Sequence, residues 1–152
     1  MTVETIKDIF DWTRELHVKL EEVYRTTSDE TDSERTKMLL NYVADHEAKL
    51  AEAIDHYEKD ATTTIVDTWV QDYILKNPFM QGMMTSLKFA GMSSEQILDA
   101  TVSSHQHLID LYKGLAESAQ TKQLQELFEN MQSLEMHELM RMVHTTERFN
   151  DL

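Results

Sequence analysis

The chain has 152 residues, of which 41% are apolar, and its 28 acidic and 14 basic side chains give a formal net charge of −14. That length and apolar share suit one globular domain with a sizeable core, and the negative field argues against nucleic-acid backbones and anionic lipid as partners. Cysteine is absent and only three Gly and one Pro interrupt the chain, so disulfides and thiolate metal sites are excluded and long helices are favoured over many short strands.

The first segment, Met1 to Asp8, lacks the basic and apolar regions of a signal peptide, and no apolar run approaches the ~20 residues of a membrane span. With the missing cysteine, the expectation is a cytoplasmic protein. Apolar residues at Ile6, Ile9, Phe10, Leu16, Leu20 and Tyr24 recur at helical spacing and predict a first helix over Val3 to Arg25, with Thr2 as its cap. The Thr/Ser/Asp/Glu-rich stretch Thr26 to Asp32 reads as a loop. Ser33 caps a second helix, Glu34 to Lys59, whose inner face is Leu39, Leu40, Val43, Glu47, Leu50 and Ile54. So short a connection makes the two helices antiparallel neighbours.

From Ala61 to Met92 the pattern breaks. A short helix through Trp69 and Leu75 ends at Asn77-Pro78, because Pro disfavours helical geometry at the residue before it. A Met-rich apolar segment follows. A bundle helix of about 25 residues spans ~37 Å, so a connector of this size suits a return from one end of a bundle to the other. Ser93 and Gln96 have capping-box spacing and open a third helix to about Ser118, with Ile97, Thr101, His105, Leu108 and Tyr112 inward. Thr121 caps a fourth, Lys122 to Phe149, with Leu124, Phe128, Met131, Glu135, Glu138 and Met142 inward. The prediction is an all-α four-helix bundle in one domain, 1–152: a hairpin over 3–60, a crossover over 61–92 and a hairpin over 93–149.

The hairpins repeat each other. His17, Leu20, Tyr24, Leu39 and Glu47 recur, 88 positions on, as His105, Leu108, Tyr112, Leu127 and Glu135. Internal repetition of this kind marks one supersecondary unit used twice. It also places His17, Glu47, His105 and Glu135 mid-helix on inner faces, at similar depth, with Glu138 one turn beyond. A buried ion left alone costs several kcal/mol, against a net domain stability of ~5–15 kcal/mol. These groups must therefore meet one another, water or a metal. Imidazole and carboxylate together suit iron, manganese, zinc or copper, and inward carboxylates and histidines from four helices are the arrangement of di-iron carboxylate bundles. Tyr24 and Tyr112, two turns along, are placed to donate hydrogen bonds to the carboxylates.

On these residues the chain resembles the ferritin-like superfamily, its rubrerythrin-type members in particular. There, helices one and three bring a Glu two turns before a Tyr, and helices two and four bring Glu-x-x-His. The resemblance spans both hairpins and implies a ferritin-like bundle with a transition-metal centre (iron, manganese or zinc, mononuclear or dinuclear) acting on small oxygen species. Carried over by position, the family's first- and third-helix Glu fall on His17 and His105, and its second- and fourth-helix Glu on Glu47 and Glu135. Its histidines fall on Leu50 and Glu138, so neither half keeps Glu-x-x-His. The implied ligands are His17, Glu47, His105, Glu135 and Glu138, with Tyr24 and Tyr112 behind them.

Two function classes follow. One is a metal-binding protein with oxygen or peroxide redox chemistry. The other is a non-catalytic bundle without metal, in which His17–Glu47 and His105–Glu135 are buried ion pairs, one per hairpin, and the surface does the work. A homodimer covering the Met and aromatic residues of the crossover is an expectation under either. A haemerythrin-type bundle ranks below both, since it wants His-x-x-x-His and the chain has none. His46 and His107 are expected at the edge of the inner stripe, His56 and His144 outward, and His137 on the same outer flank as His144. Trp12 and Trp69 read as packing anchors, and the ten Met residues as core filling or partner surface rather than Cu(I) ligands.

Overall fold

The computed structural model describes residues 5–61 and 93–150. Nearly all of the crossover, with its short helix, Trp69 and four methionines, lies outside them, while the expected cap at Thr2 and start at Val3 are corrected to a cap at Thr5 and a start at Ile6. Among the described residues the chain forms four helices: α1 (Ile6–Glu30), α2 (Glu34–Asp60), α3 (Ser94–Glu117) and α4 (Lys122–Asn150).

Each helix begins where side-chain oxygens can serve its orphan N–H groups. Thr5 caps α1 in a reciprocal box: its Oγ1 accepts from Asp8 N at 3.3 Å, and Asp8 Oδ2 accepts from Thr5 N at 3.1 Å. Ser93 and Gln96 form the box expected from their spacing, at 3.2 and 3.0 Å. Ser33 accepts from Thr36 N and Thr121 from Leu124 N, each at 3.2 Å.

The expected loop over Thr26 to Asp32 is mostly helix. Ser28 is small enough to be buried, so packing carries α1 through this polar run to Glu30, with Thr27 Oγ1 bonded back to the Val23 carbonyl at 2.8 Å. The connection shrinks to Thr31–Ser33.

α1 packs along α2, α3 along α4, and the hairpins meet along α2 and α4. His46 pairs with Glu138 and Tyr42 with Thr145, so α2 and α4 run antiparallel. The core holds Phe10, Leu16, Leu20, Leu50, Leu108 and Phe128, all at 2% exposure or less. Each such side chain contributes roughly 1.5–3 kcal/mol of burial. Trp12 anchors the packing as expected, and Met131 and Met142 fill core space, whereas Met38, Met136 and Met140 are exposed. No described helix is long and apolar enough to cross a membrane.

Candidate metal centre

Within this core each helix contributes one ionisable side chain to a shared central cluster: His17 from α1, Glu47 from α2, His105 from α3 and Glu135 from α4, none more than 1% exposed. His17 Nδ1 lies 2.5 Å from Glu47 Oε2, and its Nε2 lies 2.6 Å from Glu135 Oε1. His105 Nε2 lies 2.8 Å from Glu47 Oε1. The two imidazole rings sit with centroids 5.5 Å apart. The expected pairing of one His with one Glu per hairpin is thus half present. His17–Glu47 joins α1 to α2, but His17 also reaches α4 and His105 reaches α2, so the network ties the two hairpins together.

The proton inventory follows from these contacts. Both ring nitrogens of His17 face carboxylates, so the imidazolium form donates to both. Burial alone would lower the His17 pKa, but the charges of Glu135 and Glu47 outweigh it and push it up from 6.5 to about 10. Burial would likewise raise the Glu47 pKa, but His105 and His17 outweigh it and hold it at about 2. For His105 burial again opposes and Glu47 wins, raising the pKa. Counting both histidines as cations and both glutamates as anions, the centre is formally neutral, as a dry core requires.

Neutrality does not complete the hydrogen bonding. His105 Nδ1–H donates to the Thr101 carbonyl at 2.8 Å, which fixes the ring and aims Nε2 inward. Yet His105 Nε2 and Glu47 Oε1, although in ion-pair contact, are not aligned as donor and acceptor, and Glu135 Oε2 has no hydrogen-bond partner. Glu135 Oε2 is therefore a buried acceptor with no partner among the described residues, a condition that costs about 1–3 kcal/mol. His17, His105 and Glu135 each offer one ligand atom, and these lie within 4.8 Å of one another, a set that could hold a metal ion. The residues fit such an ion by type, burial and unmet bonding.

The expected hydrogen bonds from the tyrosines to the carboxylates are not what is found: the bond described for Tyr24 goes to a threonine, and Tyr112 has none among the described residues. The Thr101 hydroxyl donates to the Ile97 carbonyl at 2.8 Å, so the Tyr24 hydroxyl donates to Thr101 Oγ1. Tyr112 lies by Thr13 in the mirror arrangement, with its hydroxyl outside hydrogen-bond geometry. Burial, then the charge of Glu47 for Tyr24 and of Glu135 for Tyr112, raises both phenol pKa values well above 10.0. The two threonines were missed as partners, although Ile9-x-x-x-Thr13 recurs as Ile97-x-x-x-Thr101 at the same spacing of 88.

Glu138 is buried one turn beyond Glu135, where its Oε2 bonds His46 Nδ1 and its Oε1 lies 3.6 Å from Arg141. It is outside the three-residue group. His46 corrects the expectation of an edge position: it is 5% exposed, because α2 is covered by α4 as well as by α1. Leu50 stands in the apolar core, and His56, His107, His137 and His144 are exposed.

The architecture is similar to a solved structure from Thermotoga maritima, a candidate ferritin-like diiron-carboxylate protein, with a TM-score of 0.58 over 97% of each chain and 18% identity. The fold is ferritin-like. No protein-family model and no curated protein matches the chain. In this ferritin-like bundle the centre occupies the middle of the four helices, and its two imidazoles stand where the resemblance places glutamates.

Proposed function

We propose that the centre binds one divalent transition-metal ion, with His17, His105 and Glu135 as ligands and Glu47 as the second carboxylate. The observation that carries this is the convergence of one ligand atom each from His17, His105 and Glu135 within 4.8 Å in the dry core, with Glu135 Oε2 left without a hydrogen bond. Charge decides the number of ions. Two neutral imidazoles and two carboxylates balance one divalent cation, whereas a second ion would leave two positive charges buried. Two histidines and a carboxylate are a donor set suited to non-haem iron(II), with manganese and zinc as competitors. The diiron-carboxylate description of the Thermotoga maritima structure supports iron.

A redox-active ion held there would supply electron transfer to oxygen or peroxide. The chain's own part is to hold and insulate. The Thr101 carbonyl keeps the proton on His105 Nδ1, leaving Nε2 for the metal. Leu50 excludes water where the family would offer another imidazole. Tyr24 and Tyr112, kept as neutral phenols, flank the carboxylates.

Elemental analysis of protein purified from iron-, manganese- and zinc-supplemented cultures tests this. About one ion per chain is expected in the parent, and essentially none in the His105→Ala, Glu135→Ala double variant, because the ligands are also the affinity. A double variant retaining the parent's metal content would contradict the assignment. The rival reading, a structural ion-pair network, draws on the double engagement of His17 by Glu47 and Glu135; it expects no stoichiometric metal in either protein.

A further inference from the structure

A second buried imidazole–carboxylate pair lies between the helices that carry the centre's two glutamates. His46 is 5% exposed and Glu138 is 8% exposed, and His46 Nδ1 bonds Glu138 Oε2 across the α2–α4 seam. The Tyr42 ring lies against His46, centroids 4.5 Å apart. Its hydroxyl donates to the Arg141 carbonyl at 3.2 Å and accepts from Thr145 Oγ1 at 2.7 Å. Glu138 is further approached by Arg141 Nη1 at 3.6 Å. No contact of this set reaches His17 or His105.

We propose that His46 and Glu138 are positioning residues: a latch that sets the rotation and register of α2 against α4, and through them the approach of Glu47 and Glu135 to the two imidazoles. His46 is the residue before Glu47, and Glu138 is one turn from Glu135, so each carboxylate of the centre is rigidly coupled to one half of the latch. Apolar packing holds two helices at a distance but tolerates rotation, whereas a hydrogen bond between fixed ring and carboxylate is directional. A carboxylate rides about 5 Å from its helix axis, so a 20° rotation would displace it by about 2 Å. The 2.5 and 2.6 Å contacts of His17 with Glu47 and Glu135 would not survive that. The latch's effect on metal affinity rests on the metal reading above; its effect on the imidazoles does not.

The test uses His46→Ala, Glu138→Ala and Glu138→Gln in the full chain, with Leu124→Ala, at the start of α4, as a destabilised control. Two quantities are read: the ring ¹⁵N resonances of His17 and His105 in metal-free protein, and the affinity for iron(II) or zinc. Both alanine variants are expected to shift the His17 ring resonances and weaken metal binding about 10-fold, because Glu47 and Glu135 no longer meet the imidazoles in register. Glu138→Gln keeps an oxygen that accepts from His46 and should stay near the parent, which separates the bond from the charge. Leu124→Ala should lose stability and move neither readout. Parent-like resonances in both alanine variants, equal shifts in Leu124→Ala, or a Glu138→Gln variant that behaves like Glu138→Ala would overturn the latch. If the alanine variants do not fold, His46→Phe decides: it keeps a ring of similar size and removes the bond to Glu138, so shifted His17 resonances support the latch and unchanged ones overturn it. If the parent takes up no metal, the metal reading falls and the ring resonances alone judge the latch.

Discussion

Glu47→Leu is expected to destabilise the metal-free protein by about 3–5 kcal/mol, the cost of breaking a buried ion pair from one side. Glu47 is the partner of both histidines, at 2.5 and 2.8 Å, and is fully buried. Its removal leaves two imidazoles facing one carboxylate in a dry core. Replacing all four residues together, His17→Leu, Glu47→Leu, His105→Leu and Glu135→Leu, should have the opposite outcome. With no charge left unpaired, the metal-free bundle should be as stable as the parent or more so by roughly 1–4 kcal/mol. Urea unfolding of the three proteins measures both. A single variant within about 1 kcal/mol of the parent would mean that the network is not stabilised by its charges. A quadruple variant that fails to fold would mean that the four polar residues specify the bundle. The quadruple variant also divides the two function classes, since it should keep the fold and lose the metal.

Metal loading is expected to raise the melting temperature, and to do so against the pH trend of the metal-free protein. At a free ion concentration of 100 times Kd the gain is about 2.7 kcal/mol, or about 5–10 °C for a chain of this size. In the metal-free protein His17 has its pKa raised from 6.5 to about 10, so its contribution is fully present below pH 6.5 and lost as pH rises towards 10. Glu47 has its pKa lowered from 4.5 to about 2, so its contribution is present above pH 4.5 and lost as pH falls towards 2. The metal-free melting temperature should therefore be highest between these windows and decline on both sides. Metal binding needs deprotonated imidazoles, so the increment it adds should grow from pH 6 to pH 8, where the metal-free protein is losing stability. Scanning calorimetry with and without iron(II) or zinc across that range reads both curves. An increment that is absent, or that does not change with pH, would contradict the assignment of His17 and His105 as ligands.

What could be read from the sequence was what local rules and the repeat control. The caps at Ser33, Ser93 and Thr121 stand where side-chain chemistry puts them, and the spacing of 88 correctly places His17, Glu47, His105 and Glu135 at one depth. The end of α1 was not legible, because Thr26 to Glu30 is polar by composition and the burial of Ser28 within it is a matter of packing. Nor was the partner exchange in the core. His17–Glu135 and His105–Glu47 depend on how the hairpins dock, which no periodicity within one hairpin reports. His46 was misplaced for the same reason: a single inner face was assumed for α2, whereas contact with both α1 and α4 buries an arc wide enough to take in His46 and Glu47 together.

Anomalous diffraction from crystals of the full chain loaded with iron or zinc tests the central claim most directly. The account predicts one strong anomalous peak per chain in the middle of the bundle, within about 2.0–2.3 Å of His105 Nε2 and a Glu135 oxygen. Two adjacent peaks there would contradict the single-ion charge balance. A core without a peak at full loading would contradict metal binding at this centre altogether.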